Sequence, residues 1–486
     1  AQAILDAFSS DPRLCLVKSP GNIVGPEFWG SDEALTSELL RRLELDVVSE
    51  DLRFAAGSMY WTRGFVVQGL RALNLTADDF HPEEGQIDGT TAHAIERSIG
   101  ILAREAGLKL AETDALEPLE AGCWERYEVD APRTPSARFV PFYLPQFHPT
   151  HENDVWWGKG FTEWTNVTAA HPVYRGHHQP KLPADLGFYD LRLEDVRLAQ
   201  TELAQRHGID GFMYYYYWFA GQRLLNLPIE ALAAGETPMP FCIMWANENW
   251  TRRWDGRSSD ILIGQDYDRV PAEGFIEDVM EFLRDERYLR VDGKPLLAVY
   301  RPAQMGNFAE VLATWRRRAR EEGVGELVVL AVAVAEEFHG IGSDFRQHGL
   351  DGTLGFPPHN LPWAAGPTDR LAVSPQFKGN LMSYAALVTA AESKLLALED
   401  GAHPGVMVNF DNTARRQWRP DIWYGANPYT FRRWLGDAAD AVSHRPPAER
   451  FVFINAWNEW AEGAVLEPTD RFGQTFLQAV RDVSYS

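Results

Sequence analysis

Residues 451–463 read FVFINAWNEWAEG. Phe451–Trp457 is aromatic and β-branched enough to be a buried strand, yet it runs straight into Asn458, Glu459, Trp460 and Glu462. A strand that ends in two carboxylates wrapped in tryptophan fits the rim of a parallel sheet, where active sites collect. Further runs of the same kind lie upstream. They occur at Arg138–Leu144, Gly208–Tyr217, Pro240–Ala246, Pro295–Tyr300, Leu327–Val334, Gly352–Phe356 and Gly405–Phe410. Helical patterns alternate with them, among them Leu193–Arg206, Ala272–Arg284, Phe308–Glu322, Tyr384–Leu398 and Gly473–Val483. Strands separated by helices make right-handed βαβ units and a parallel sheet. Eight such units predict an α/β fold, a (β/α)₈ barrel over residues 138–486.

Two irregular stretches, Pro145–Leu182 and Pro357–Gly379, each follow a strand and so belong to the C-terminal rim. Before Arg138 the pattern changes. Residues 131–137, APRTPSA, read as a linker. Residues 1–130 show helical stretches such as Asp32–Leu43 and Thr91–Ala106 with few strands, which predicts a smaller, mainly helical domain ahead of the barrel.

Composition narrows the function. With 486 residues and a net charge of -23 spread over both parts, the chain repels nucleic acid and anionic lipid, and neither is an expected partner. No apolar run is long enough to span a bilayer, and no basic and apolar leader is visible. The cysteines Cys15, Cys123 and Cys242 are odd in number and lack CxxC or His-pair company. A disulfide framework and a zinc site are therefore not expected, and a reducing compartment is. HEND at 151–154 is not HExxH, there is no GxSxG elbow, and Gly-rich phosphate loops are absent. The expectation is an enzyme without metal or cofactor.

The residues after each strand are not ordinary turn residues. Strand one is followed by YLPQFHP, with Tyr143, Gln146 and His148. Then comes NDVWWGKGFTEWTNV, with Trp156, Trp157, Lys159, Glu163, Trp164 and Asn166. Strand two ends in YYYYWF; alternate tyrosines of a barrel strand face the helix layer, so at most half face the mouth. One sequence leaves open which half, and Tyr215 and Tyr217 stand as the candidates. Strand three ends in WANENWTRRWDG, with Trp245, Asn247, Glu248, Trp250, Arg253 and Asp255. Strand seven adds Asp411, and strand eight Asn455 and Trp457. Aromatic faces match the C–H faces of a pyranose while carboxylates, amides and Arg bind its hydroxyls, so the rim is read as a sugar site. Glycoside cleavage needs one protonated carboxyl and one ionised carboxylate. Glu459 and Glu462, three apart beyond a strand, are the candidate pair, with unequal burial to separate their pKa values. For Glu248 a salt bridge to Arg252 or Arg253 is an equal alternative to a role on the sugar.

The ordered set YLPQFHP, NDVWWGKGFTEWTNV, YYYYWF, FCIMWANENWTRRWDG and FINAWNEWAEG closely resembles the WbsX-type family, also called glycoside hydrolase family 99-like domains, found in bacterial surface polysaccharide loci. Although often labelled glycosyltransferase, that family is similar to the family 99 endo-acting mannosidases and mannanases, which are retaining enzymes on a (β/α)₈ barrel. Their strand-eight motif EWxEG matches Glu459–Gly463. The resemblance implies that Glu462 is the acid and base on the glycosidic oxygen and Glu459 the base on the sugar's 2-hydroxyl, with a 1,2-anhydro sugar between. It implies a rhamnose- or mannose-containing polysaccharide or oligosaccharide as substrate. A glycosyltransferase and a non-catalytic glycan-binding module are the alternatives. Tyr216 stands where many WbsX relatives carry a histidine. Residues 73–97, with AGSMYW at 56–61, resemble the C-terminal portion of rhamnan synthesis protein F. That implies a piece of a larger polypeptide with a transferase domain, working in the bacterial cytoplasm or at the inner-membrane periphery. Asp88 and His93 are then either remnants of a transferase site or, for Asp88, a cap on the helix starting near Thr90.

Overall fold

A computed structural model describes residues 1–82, 84–116, 135–251, 261–334 and 345–485. Cys123, Arg252, Arg253, Asp255 and residues 131–134 of the expected linker lie outside the described residues.

The barrel strands are Arg138–Tyr143, Phe212–Phe219, Phe241–Trp245, Lys294–Val299, Val328–Ala333 and Gly352–Gly355, then Ala402–His403 with Gly405–Met407, and last Phe451–Asn455. Each pairs in parallel with its neighbours in chain order. The eighth pairs with the first, Phe451 opposite Arg138, and closes the ring. The seventh strand is split at Pro404, which has no N–H to give. Its first half bonds the sixth strand and its second half the eighth, while the Pro404 carbonyl still accepts from Phe453 N at 3.0 Å. Each half of strand seven is paired on one side only, while every other strand of the ring is paired on both.

The second strand starts at Phe212 rather than Gly208. Gly208 has a φ of +78° and ends helix Glu194–Arg206, with Ile209 N–H returning to the Ala204 carbonyl at 3.1 Å. A period of two then sorts the strand side chains. Phe142, Tyr215, Phe356 and Phe453 meet inside the barrel, with Phe142 ring centroids 5.8, 4.9 and 6.3 Å from the other three. Their neighbours point outward. Tyr143 donates to Gln200 at 2.7 Å and Tyr216 to Asp278 at 2.6 Å, both on helices. Trp245 stacks on Phe275 at 4.4 Å and packs against Trp315. Tyr143 and Trp245, expected at the mouth, are therefore held in the layer between strands and helices.

The N-terminal region has the expected helices, Glu33–Arg41 and Thr91–Glu105 among them, and also a small sheet. In it Leu14–Lys18 lies between antiparallel Trp61–Thr62 and parallel Lys109–Glu112. These strands are too short for a visible period. Asp88 does not cap helix Thr91–Glu105; it accepts from Ser31 N and Oγ at 3.3 and 2.8 Å. His93 meets Thr90 Oγ1 at 2.8 Å. One apolar core runs from Leu16, Leu40, Val66 and Leu102 into the barrel. The contact is made on helices Pro428–Val442 and Thr475–Ser484, where Tyr429 donates to the Val66 carbonyl at 2.9 Å. Asp482 accepts from Arg63 of the N-terminal region at 3.2 Å and from Arg432 at 2.6 Å. Asp482→Ala leaves two mostly buried guanidinium groups without their shared carboxylate, and a loss of about 3 kcal/mol is expected. Chemical denaturation of the variant checks it, and wild-type stability would show that the docking does not depend on this pair.

Candidate active site

Strand eight ends at Asn455, and the chain folds into a tight hairpin, Asn458–Glu459 against Ala464–Val465, around the 3₁₀ turn Trp460–Glu462. Asn458 fixes its base, exchanging hydrogen bonds with Leu144 N and O at 2.7 and 3.0 Å. Gly463 closes the turn at a φ of +65°, and a Cβ there would strike Lys181 Nζ and come 3.2 Å from the Asp411 carbonyl. The glycine of EWAEG is thus a steric requirement. Asp411 N donates to the Glu462 carbonyl at 2.6 Å, tying the turn to the end of strand seven.

Both glutamates reach one guanidinium. Arg415, on the short helix Thr413–Arg416, donates through Nη2 to Glu459 Oε2 at 3.3 Å and through Nη1 to Glu462 Oε1. Its Nε donates to Glu163 Oε2 at 3.3 Å. Glu163 opens helix Glu163–Ala169 in the loop after strand one. Three carboxylates from three segments therefore converge on one cation. The Glu459 side chain is 8% accessible and that of Glu462 16%. Burial pushes the Glu459 carboxyl well above its usual range, Glu462 and Glu163 push it further, and Arg415 pulls back. Burial works against the charge of Arg415, but the three carboxylates outweigh it and keep the guanidinium protonated.

Across the mouth Glu248 pairs with Arg301 at 3.1 Å, and Arg301 lies over the Tyr300 ring at 5.0 Å. Glu248 is thus in a salt bridge with an arginine from the end of strand four, while Arg252 and Arg253, the partners expected for it, lie outside the described residues. Burial raises the Glu248 carboxyl while Arg301 opposes the rise. Tyr215 and Tyr217, the inward half of the tyrosine run, lie 6.3 Å apart in stacked orientation. Trp250 stands edge-on to Tyr217 at 4.8 Å, and Trp156 to Trp250 at 5.8 Å, which makes an aromatic wall.

Other expected residues serve the frame. Trp164 donates to the Tyr189 carbonyl at 2.8 Å and packs on Trp460 at 5.5 Å. Trp457 is fully buried against Phe212, and Trp157 packs on Phe161. Asn247 exchanges hydrogen bonds with Arg301 N and O at 2.8 and 2.9 Å, and Asn455 donates to the Pro357 carbonyl at 2.8 Å. Asp411 accepts from His177, Gln179 and Thr413 at 2.9, 2.6 and 2.6 Å and lies 3.4 Å from Lys181. Burial raises its carboxyl, but Lys181 and His177 outweigh that and hold it well below the usual range. His177 Nδ1 accepts from Val173 N at 3.1 Å, so its Nε2–H is the donor to Asp411. This cluster anchors the loop after strand one. His148 is buried, and burial lowers its pKa. Gln146 and Asn166 are half-buried, and Lys159 is exposed.

Sequence reasoning missed Arg415, Arg301 and Glu467. Nothing in TARRQW marks one arginine over its neighbour, though three carboxylates on one rim do demand a counter-charge. Glu467 accepts from Gln200, Tyr189 and Trp460 at 2.7, 2.8 and 2.8 Å, which fixes the indole between the two glutamates. Burial pushes its carboxyl up to about 7 in spite of these donors. Among the described residues no group of His, Cys, Asp and Glu has the spacing to hold a metal ion, and no helix is long and apolar enough to cross a membrane.

The family model described as Glycosyltransferase WbsX matches residues 139–480. Two proteins described as "Uncharacterized protein WxcX", from two strains of Xanthomonas campestris pv. campestris, are each 46% identical over 356 residues, which cover 72% of this chain and 50% of theirs. The chain spans about half the length of these curated relatives. Among solved structures, a "Glycoside hydrolase-like protein" is 14% identical and aligns over 76% of this chain and 98% of its own, with a TM-score of 0.48. The GH99 endo-alpha-mannosidase from Bacteroides thetaiotaomicron is 14% identical over 71% and 95%, with a TM-score of 0.43.

Arg415→Met removes the counter-charge, and the raised folded-state pKa of Glu459 rises further. A carboxyl raised in the fold favours folding fully below its unfolded pKa, about 4.3, and that contribution is lost as pH climbs. The variant is expected close to wild type near pH 4 and about 3–5 kcal/mol less stable toward pH 8. Melting temperatures across that window check it, and a pH-independent difference would contradict it.

Proposed function

We propose that this chain, which belongs to the WbsX glycosyltransferase family, is a glycan-processing enzyme that cleaves an α-linked rhamnose- or mannose-containing surface polysaccharide with retention at Glu459 and Glu462. The observation that carries the reading is the pair of glutamates held on one guanidinium at a rim walled by Tyr217, Trp250 and Trp156. With the acid's proton on Glu462, two carboxylates, Glu163 and Glu459, still face one arginine among the described residues and leave the centre negative. Such a centre stabilises the positive charge that develops on a sugar ring at bond cleavage and repels the pyrophosphate of a nucleotide sugar.

The roles are those that the resemblance of Glu459–Gly463 to the EWxEG motif implies. A carboxylate that takes a proton from a sugar hydroxyl needs a raised pKa, and burial gives Glu459 one. In the first step Glu459 removes the 2-hydroxyl proton and O2 attacks C1. The C1–O bond breaks as Glu462 protonates the leaving oxygen, giving a 1,2-anhydro sugar. For this, Glu462 exchanges its bond to Arg415 for one to the glycosidic oxygen, and its greater accessibility suits that exchange. In the second step water adds to C1, Glu462 takes its proton, and Glu459 returns a proton to O2. Two inversions at C1 give net retention.

A second reading rests on the same ion pair: glutamates engaged by Arg415 also suit a module that only holds a glycan. The whole protein of the relatives' length would combine the barrel with a transferase unit in the bacterial cytoplasm, where free Cys15 and Cys242 are at home. Glu462→Gln is expected to lower reducing-end release from mannan or rhamnan oligosaccharides by about 10²–10⁴-fold while binding persists. Mass spectrometry of the products reads it, and undiminished turnover would remove Glu462 from the chemistry.

A further inference from the structure

One group of polar side chains in the mouth is not used by this chemistry. Across from the catalytic pair, the ends of strands three, four and six bring Glu248, Arg301 and His359 into one neighbourhood. Arg301 spends Nη2 on Glu248 at 3.1 Å, but its Nε is buried and meets no acceptor among the described residues. His359 stays exposed, yet its ring is gripped: it stacks on Phe356 at 5.7 Å and 15° and meets the edge of Phe410 at 6.2 Å. Phe356 in turn packs on Phe142 at 4.9 Å and Tyr300 at 5.7 Å. The imidazole is thus fixed above the aromatic floor that also carries Tyr215. No described residue makes a side-chain hydrogen bond to it. A rigid, accessible imidazole beside a guanidinium with an unused donor and a carboxylate offers donors and acceptors to a ligand.

We propose that Glu248, Arg301 and His359 form a second sugar subsite that grips adjacent hydroxyls of an uncharged residue next to the one cleaved, an inference that rests on the glycan-processing reading above. Glu248 and Arg301 cancel each other's charge. An acidic sugar or a phosphate placed there would face Glu248, with Glu462 close enough to act on the same carboxyl. The ordinary pKa of an imidazole, about 6.5, lies below neutrality. At neutral pH the ring therefore supplies one donor and one acceptor rather than a positive charge.

The test is histidine-labelled NMR of the full chain, with the His359 ring signal assigned by its loss in His359→Ala. Methyl α-mannoside, methyl α-rhamnoside, α-linked mannobiose and α-linked rhamnobiose are the probes. One of the disaccharides is expected to shift the ring signal and to bind at least about tenfold tighter than its monosaccharide, the order of a single good hydrogen-bonding group. His359→Ala is expected to erase most of that advantage and His359→Asn to restore part of it. A ring signal unmoved by every probe up to its solubility limit overturns the subsite, as does an advantage that survives in His359→Ala. A glucuronic-acid disaccharide that binds as tightly as the neutral ones overturns the assignment to uncharged sugars. Binding with no turnover of any oligosaccharide tells against the cleavage reading and leaves the subsite standing.

Discussion

Among the described residues Arg415 is the one cation that Glu163, Glu459 and Glu462 share. Taking a carboxylate out of water costs several kcal/mol unless an opposite charge and hydrogen bonds replace the solvent. A single guanidinium fork answers that cost for three carboxylates only if they arrive at fixed angles. Much of the rim is explained by that demand. The split seventh strand leads into the helix that carries Arg415. The hairpin after strand eight turns at Gly463 to place both glutamates, and the His177, Gln179 and Lys181 cluster on Asp411 anchors the loop that brings Glu163.

The shared cation also separates the two glutamates chemically. Glu459 is the deeper and has its carboxyl pushed up by burial; Glu462 is the more accessible and makes the closest contact with Arg415. Inequality of this kind is what lets two identical side chains take opposite proton-transfer roles. Behind them Glu467, Trp460 and Trp164 form a packed and hydrogen-bonded brace, so the turn that bears the pair has little freedom to relax. The aromatic wall and the Glu248–Arg301 pair lie on other strands of the same barrel. Their distance from the glutamates is therefore set by closure of the ring.

Much of this was legible in the sequence. The barrel strands could be read because each is a short apolar run between helical patterns, and closure follows from their number. Glu459 and Glu462 could be read because charges directly after a core strand need a reason. What could not be read was orientation. Tyr143 and Trp245 look like rim residues in a one-dimensional list, but a period of two sends them to the helix layer. The same alternation turns Tyr215 and Tyr217 inward, and no residue in the run YYYYWF marks its phase. Asn247, Asn455 and Asp411 have ligand-binding chemistry yet are occupied by backbone and loop contacts. Arg415 was invisible because its role lies in long-range convergence: Glu163 is 252 positions away. The small N-terminal sheet escaped because its strands are too short to show a period.

In the proposed function the carboxylate pair breaks a glycosidic bond with water as the final acceptor. Reaction of the intact protein with mannan or rhamnan oligosaccharides in ¹⁸O-labelled water, followed by mass spectrometry and NMR of the fresh product, tests it most directly. One ¹⁸O is expected at the anomeric carbon of each new reducing end, with the α configuration of the substrate retained. Products without ¹⁸O that grow longer only when a nucleotide sugar is supplied would contradict it.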